Sequence, residues 1–258
     1  MRALTTLRGR GVAMMRLASL GGVIVWGVSR YALLARHRRS AVDRAVWLQG
    51  VCRAVLRALR VEIELTGEAP RGGLICSNHL SYLDILVFSA LQPVVFVSKK
   101  EVRHWPVFGW FAEKAGTRFI DRTKKTDVRR IAEELSPLVA QGLSIVVFLE
   151  GTTSDGRHVL PFRSSLLEPA LQGGWPLAPT AISYESSSPF QPERDICWWG
   201  DMTLTPHLLR LASIPWIRAR VVWGSFAEKA TDRKTLAVRL REEVIYLKSS
   251  LSTAPPTH

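Results

Sequence analysis

Asn78-His79-Leu80-Ser81-Tyr82-Leu83-Asp84 sets a histidine and an aspartate five positions apart, directly after the apolar run Gly73-Leu74-Ile75-Cys76-Ser77. A histidine takes a proton near neutral pH, and a carboxylate on its other ring nitrogen holds it in one tautomer. If the two side chains meet, His79 can activate a hydroxyl. Within one helix a five-residue step turns about 140°, so the pair would diverge. They converge if His79 lies in the loop before a helix and Asp84 in its first turn. Ser81 is then the expected N-cap, with Asp84 three residues later completing a capping box. The same stretch, taken alone, also fits a capped helix start with an incidental histidine.

Two further stretches carry chemistry. Gly116-Thr117-Arg118-Phe119-Ile120-Asp121-Arg122 ends a short strand pattern on an arginine, which can grip a phosphate bidentately or pair with Asp121. Phe148-Leu149-Glu150-Gly151-Thr152 closes an apolar strand, where α/β folds place ligands and where glycine permits close backbone approach. Lys99-Lys100 ends another strand pattern and either faces a phosphate or is solvated. Trp105, Phe108, Trp110 and Phe111 read as core aromatics, with an acyl-chain channel or an interfacial anchor as the second reading.

From Val61 onward, period-two and period-3.6 patterns alternate. Strands are expected over 61–65, 74–77, 94–98, 117–121, 143–149, 177–184 and 218–223. Helices are expected over 82–91, 105–115, 127–141, 160–171 and 232–248. This order predicts an α/β fold, a layered mixed sheet flanked by helices. The division that follows is residues 1–60 as a basic, apolar helical pair, 61–250 as the α/β domain and 251–258 as a frayed tail.

The first sixty residues suit a membrane surface. Leu17 to Ser29 is an uninterrupted apolar run of 13 residues, short of the about 20 that a perpendicular span needs. A span is possible if Arg16 and Arg30 snorkel to opposite interfaces; otherwise the segment lies in one leaflet. Arg36-His37-Arg38-Arg39 then marks the cytoplasmic side. Ala41 to Arg60 has Leu48, Val51, Val55 and Leu59 on one face and Arg53, Arg57 and Arg60 on another, fitting the plane of an anionic bilayer or a helix packed on the domain. The 258 residues carry 35 Lys+Arg against 22 Asp+Glu, a net +13. No basic–aromatic recognition motif accompanies that charge, so an anionic membrane is the expected partner and nucleic acid is not. Cys52, Cys76 and Cys197 form no CxxC pattern, which predicts buried reduced thiols and no metal site, although Cys52 beside Arg53 is placed where lipidation can occur.

The three stretches in this order resemble the four-block signature of the glycerolipid acyltransferases, the family of 1-acylglycerol-3-phosphate acyltransferases. The N-H-x-x-x-x-D block is matched at Asn78, His79 and Asp84. G-x-x-F-I-x-R is matched at Gly116, Phe119, Ile120 and Arg122, and F-P-E-G-T except for Leu149 in place of proline. Leu177 to Ile182, with a central Pro179, is similar to the fourth block. Trp198 to Met202 is similar to a run in bacterial members. A later F-[KR]-x-G pattern is kept only as Phe162-Arg163, followed by Ser164-Ser165.

The resemblance implies His79 as general base, oriented by Asp84. It implies Asn78, Gly116, Arg122, Glu150, Gly151 and Thr152, with Arg163, at the substrates, Arg122 on a phosphate and Glu150 ordering Arg122 or accepting from an acceptor hydroxyl; Lys99 joins them by its strand-end position alone. It implies acyl-CoA or an acyl-carrier protein as co-substrate, with no resident cofactor. The acceptor is a lysolipid, 1-acylglycerol-3-phosphate first and lyso-ornithine lipid second, at the inner (cytoplasmic) membrane with the site facing the cytoplasm. A thioester or lipid hydrolase is the alternative of another class.

Overall fold

The computed structural model describes residues 7–34, 39–121, 125–225 and 232–253. Seven strands form one sheet: β1 (Val61–Thr66), β2 (Gly73–Ser77), β3 (Val94–Lys99), β4 (Arg118–Ile120), β5 (Ser144–Val147), β6 (Leu177–Ser186) and β7 (Ile217–Trp223). Their spatial order is β1-β7-β6-β2-β5-β3-β4. All neighbours are parallel except β6 and β7. The middle strands Gly-Leu-Ile-Cys-Ser and Ser-Ile-Val-Val are buried at every residue, as parallel strands covered on both faces must be. Ile75 and Val146 point to one core, and Leu74, Cys76, Ile145 and Val147 to the other.

The first core is covered by α2 (Ala41–Leu59), α3 (Leu83–Leu91), α4 (Phe108–Ala115) and α8 (Leu204–Ser213), with α1 (Leu7–Leu33) packed along it. The second lies under α5 (Lys125–Ala140), α6 (Glu168–Gly173) and α9 (Arg233–Thr253). A four-residue helix, α7 (Pro192–Asp195), precedes α8.

Three expectations need correction, and one helix lies outside them. The 105–115 helix begins only at Phe108, because a 3-10 turn (Lys100–His104) precedes it. The 160–171 helix is a 3-10 turn (Ser164–Leu167) running into α6, which stops at the left-handed Gly174. The C-terminal helix continues to Thr253, with Leu251 buried against the sheet. Nothing was expected at α8, which the sequence hides behind Pro206.

The N-terminal helices also differ from a bilayer-lying pair. In α2 the apolar face (Trp47, Leu48, Val51, Cys52, Leu56, Leu59) is buried in the protein, not offered to lipid. The close approach of α1 to α2 needs Gly27, where a Cβ would lie 3.0 Å from Val51 and 3.1 Å from Phe111. Gly27 also accepts a bond from Trp47 Nε1 at 2.9 Å. Over residues 11–33, α1 is long and apolar enough to cross a membrane by length and composition. It exposes Met14, Met15, Val25, Trp26 and Leu33.

Arg16 does not snorkel. It is buried and donates to the carbonyls of Ala212 at 3.1 Å, Pro215 at 2.8 Å and Ile214. These carbonyls lie in or just after the last turn of α8, where helical partners run out and a cation is favoured. Replacing Arg16 with methionine strands them, and equilibrium unfolding in detergent should show a loss of about 2 kcal/mol.

Candidate active site

His79 lies two residues past the carboxyl end of β2, before α3 begins. Its Nδ1 is 2.8 Å from Asp84 Oδ2. The same oxygen accepts from Leu80 N–H at 2.7 Å and Ser81 N–H at 3.0 Å. Asp84 is fully buried in the first turn of α3, where the helix N-terminus favours a carboxylate. His79 stacks on Phe148, ring centroids 3.8 Å apart and planes 7° apart. The carboxylate therefore orients the ring through Nδ1 and leaves Nε2 to exchange a proton with a substrate. Ser81 is not the N-cap: Tyr82 holds that position, and the Ser81 hydroxyl finds no partner among the described residues. Convergence comes instead from Asp84 reaching back to the loop's N–H groups.

His79 lines a cavity of about 380 Å³. Lys99, at the end of β3, and Gly151 and Thr152, after β5, line it too. These residues follow three adjacent parallel strands at their carboxyl ends, the edge where such sheets take ligands. The rest of the wall is mostly apolar, with Leu48 and Cys52 from α2, Leu86 from α3, Phe96 from β3 and Phe111 from α4. Trp105, Phe108 and Phe111 thus face a cavity rather than a sealed core. Trp110 packs edge-on to Tyr31 and Trp47.

A histidine–carboxylate pair at the end of an apolar cavity suits proton removal beside a long aliphatic chain. Comparison with known proteins gives the family. The Acyltransferase family model matches residues 60–183. The chain is 37% identical over 206 residues to a lyso-ornithine lipid O-acyltransferase of Pseudomonas aeruginosa, covering 78% of this chain and 77% of that one. The chain belongs to the glycerolipid acyltransferase family. It is also 32% identical over 197 residues to a 1-acyl-sn-glycerol-3-phosphate acyltransferase of Neisseria meningitidis, covering 74% and 76% of the two chains. The crystal structure of the 1-acyl-sn-glycerophosphate acyltransferase of Thermotoga maritima shares the fold, with a TM-score of 0.68 over 97% of this chain and 99% of that one at 17% identity.

The remaining motif residues of this acyltransferase take unequal places. Asn78 is a correction. It is 1% exposed, its Nδ2 donates to Ile182 O and its Oδ1 accepts from Ile182 N–H, both at 2.9 Å. Its amide is consumed in tying β2 to β6, and it does not line the cavity. Gly116 is another. It ends α4 at φ 87° and does not line the cavity, whereas Thr117 does. Arg163 is exposed and away from the cavity wall; its backbone N–H donates to Leu149 O at 2.8 Å. Arg122 lies outside the described residues.

Glu150 is buried and does not line the cavity. Its Oε1 accepts from His79 N–H at 3.3 Å. Oε2 has no partner among the described residues. Burial raises its pKa to about 8, against the smaller opposing effect of the His79 N–H. At neutral pH it is thus mostly a neutral acid propping the His79 loop. The next loop is tied there too: Ser154 N–H donates to His79 O at 3.0 Å, and Lys248 of α9 donates to Gly156 O.

Two contributors escaped the sequence reading. Tyr184 on β6 donates its hydroxyl to Asp84 Oδ1 at 2.6 Å across 100 positions of chain. His207 on α8 accepts from the Tyr82 hydroxyl at 3.0 Å and donates through Nε2 to Cys197 O at 3.1 Å. Alternation along β6 could have indicated the first, since Ile182 and Tyr184 share a face and both serve the His79 loop. Nothing in the sequence pointed to the second.

Proposed function

We propose that this acyltransferase moves a fatty acyl group from an acyl thioester, on CoA or a carrier protein, to the free hydroxyl of a lysolipid at the cytoplasmic face of the inner membrane. The observation that carries this reading is the His79–Asp84 pair opening onto an apolar cavity. His79 Nε2 takes the proton of the acceptor hydroxyl as its oxygen attacks the thioester carbonyl. The tetrahedral intermediate collapses with cleavage of the C–S bond, and the imidazolium returns the proton to the departing thiolate. Asp84 stabilises the imidazolium throughout. The apolar wall holds the acyl chain, and Lys99, Gly151 and Thr152 meet the polar part of the substrates. The exposed apolar side of α1 faces lipid.

1-Acylglycerol-3-phosphate is the first acceptor, since Lys99 offers a cation in the cavity wall. Lyso-ornithine lipid is the second, favoured by the Pseudomonas relative and by Ser164-Ser165 in place of x-Gly. A panel of both acceptors with labelled acyl-CoA and acyl-carrier protein tests the reading. Transfer to one of them supports it, and transfer to neither from either donor overturns it.

The cavity makes a separate prediction. Cys52 is 1% exposed, and burial pushes its thiol up to about 12, so it is inert volume in the wall and not a lipidation site. Cys52→Trp should shorten the preferred acyl chain. In competition among acyl-CoAs of graded length, each methylene displaced should cost the longer donor about fourfold.

A further inference from the structure

We propose that Tyr184 is a positioning residue for acyl transfer, its hydroxyl holding the Asp84 carboxylate as an oriented anion with Oδ2 turned to His79. The inference rests on the acyl-transfer reading for its chemistry. The carboxylate is fully buried, so each oxygen needs donors. Oδ2 has three: His79 Nδ1, Leu80 N–H and Ser81 N–H. Oδ1 accepts from the Tyr184 hydroxyl at 2.6 Å, within the range of a bond to an ionised acceptor. Tyr184 is itself buried among the first core, on the strand that Asn78 clamps two residues earlier. The donor is thus fixed by the sheet and not by a mobile loop.

The groups facing this hydroxyl are Asp84 and Tyr82 from the α3 side and Cys197 from the loop after α7, with His79 and Glu150 beyond the carboxylate. Burial, and then the Asp84 charge, keep the Tyr184 phenol neutral, so it remains a donor over the whole range in which His79 works. A phenol donating to Oδ1 draws charge from the carboxylate. Without it the carboxylate attracts the imidazolium proton more strongly, and it is less firmly aimed.

Tyr184→Phe keeps the ring and removes only the donor. NMR titration of the His79 imidazole, assigned against His79→Ala, needs no substrate and so separates failure of this proposal from failure of the acyl-transfer reading. The midpoint should rise by at least about 0.5 pH unit in Tyr184→Phe. In the transfer assay kcat should fall about tenfold, with the acceptor KM within about twofold. In an Asp84→Asn background the same change should alter kcat by less than about twofold, because the residue acts through Asp84. If Tyr184→Phe does not fold, 3-fluorotyrosine at position 184 replaces it, and that stronger donor should lower the midpoint. An unmoved His79 midpoint in the folded variant, or the full fall in kcat persisting without Asp84, overturns the proposal.

Discussion

Replacing His79 with alanine should lower acyl transfer by about 10²–10⁴-fold, the usual contribution of a positioned general base. The fold should survive. His79 is only partly buried, and its side chain stacks on Phe148 without filling the core. The bonds that shape its loop run through the backbone: His79 N–H to Glu150, Leu80 and Ser81 N–H to Asp84, and Ser154 N–H to His79 O. None requires the imidazole. The melting temperature and vesicle binding of His79→Ala should therefore match the parent while turnover collapses. Activity within tenfold of the parent would remove His79 from the mechanism. A collapse of the fold would mean that the ring is structural.

The second large effect concerns Glu150 and pH. Its folded-state pKa, about 8, lies above the ordinary 4.5, so the folded chain holds a proton that the unfolded chain releases. The stability this group contributes is full below pH 4.5, declines as pH rises and is gone above about 8. Glu150→Gln copies the neutral acid and removes that dependence. The variant should match the parent near pH 4 and exceed it by on the order of 3 kcal/mol at pH 9. Activity at pH 7 should change little, because a neutral group already occupies the position. Thermal unfolding of both proteins from pH 4 to 9 checks the first claim. Parallel stability curves would show that Glu150 ionises freely, and loss of turnover at neutral pH would restore a role for its charge at the acceptor.

The same residues show where sequence reasoning reached and where it stopped. β2 and β5 were legible because a strand covered on both faces has no choice but an apolar run. His79 and Asp84 were legible because residue type and spacing carry their chemistry. The device joining them was misread. Ser81 has the right type for an N-cap, yet the carboxylate takes the loop's N–H groups and leaves the hydroxyl idle. Asn78 and Gly116 sit in motif blocks but are spent on a strand-to-strand clamp and on a helix end, a distinction that requires knowing what lies across the sheet. The amphipathic period of α2 was evident, but a period cannot say whether protein or lipid covers the apolar face. In α8, Pro206 looks like a break, although in the first turn proline loses no hydrogen bond. Alternation along β6 places Tyr184 on the face of Ile182, but its partner is 100 positions away and no spacing names it. The sheet brings together what the chain keeps apart.

Release of free thiol from acyl-CoA, followed with and without lysolipid, separates transfer to a lipid hydroxyl from hydrolysis. Release should depend on the lysolipid, with one diacyl product formed per thiol and no free fatty acid. Release at the same rate without lysolipid, with free fatty acid as the product, would make water the acceptor and contradict transfer to a lipid hydroxyl.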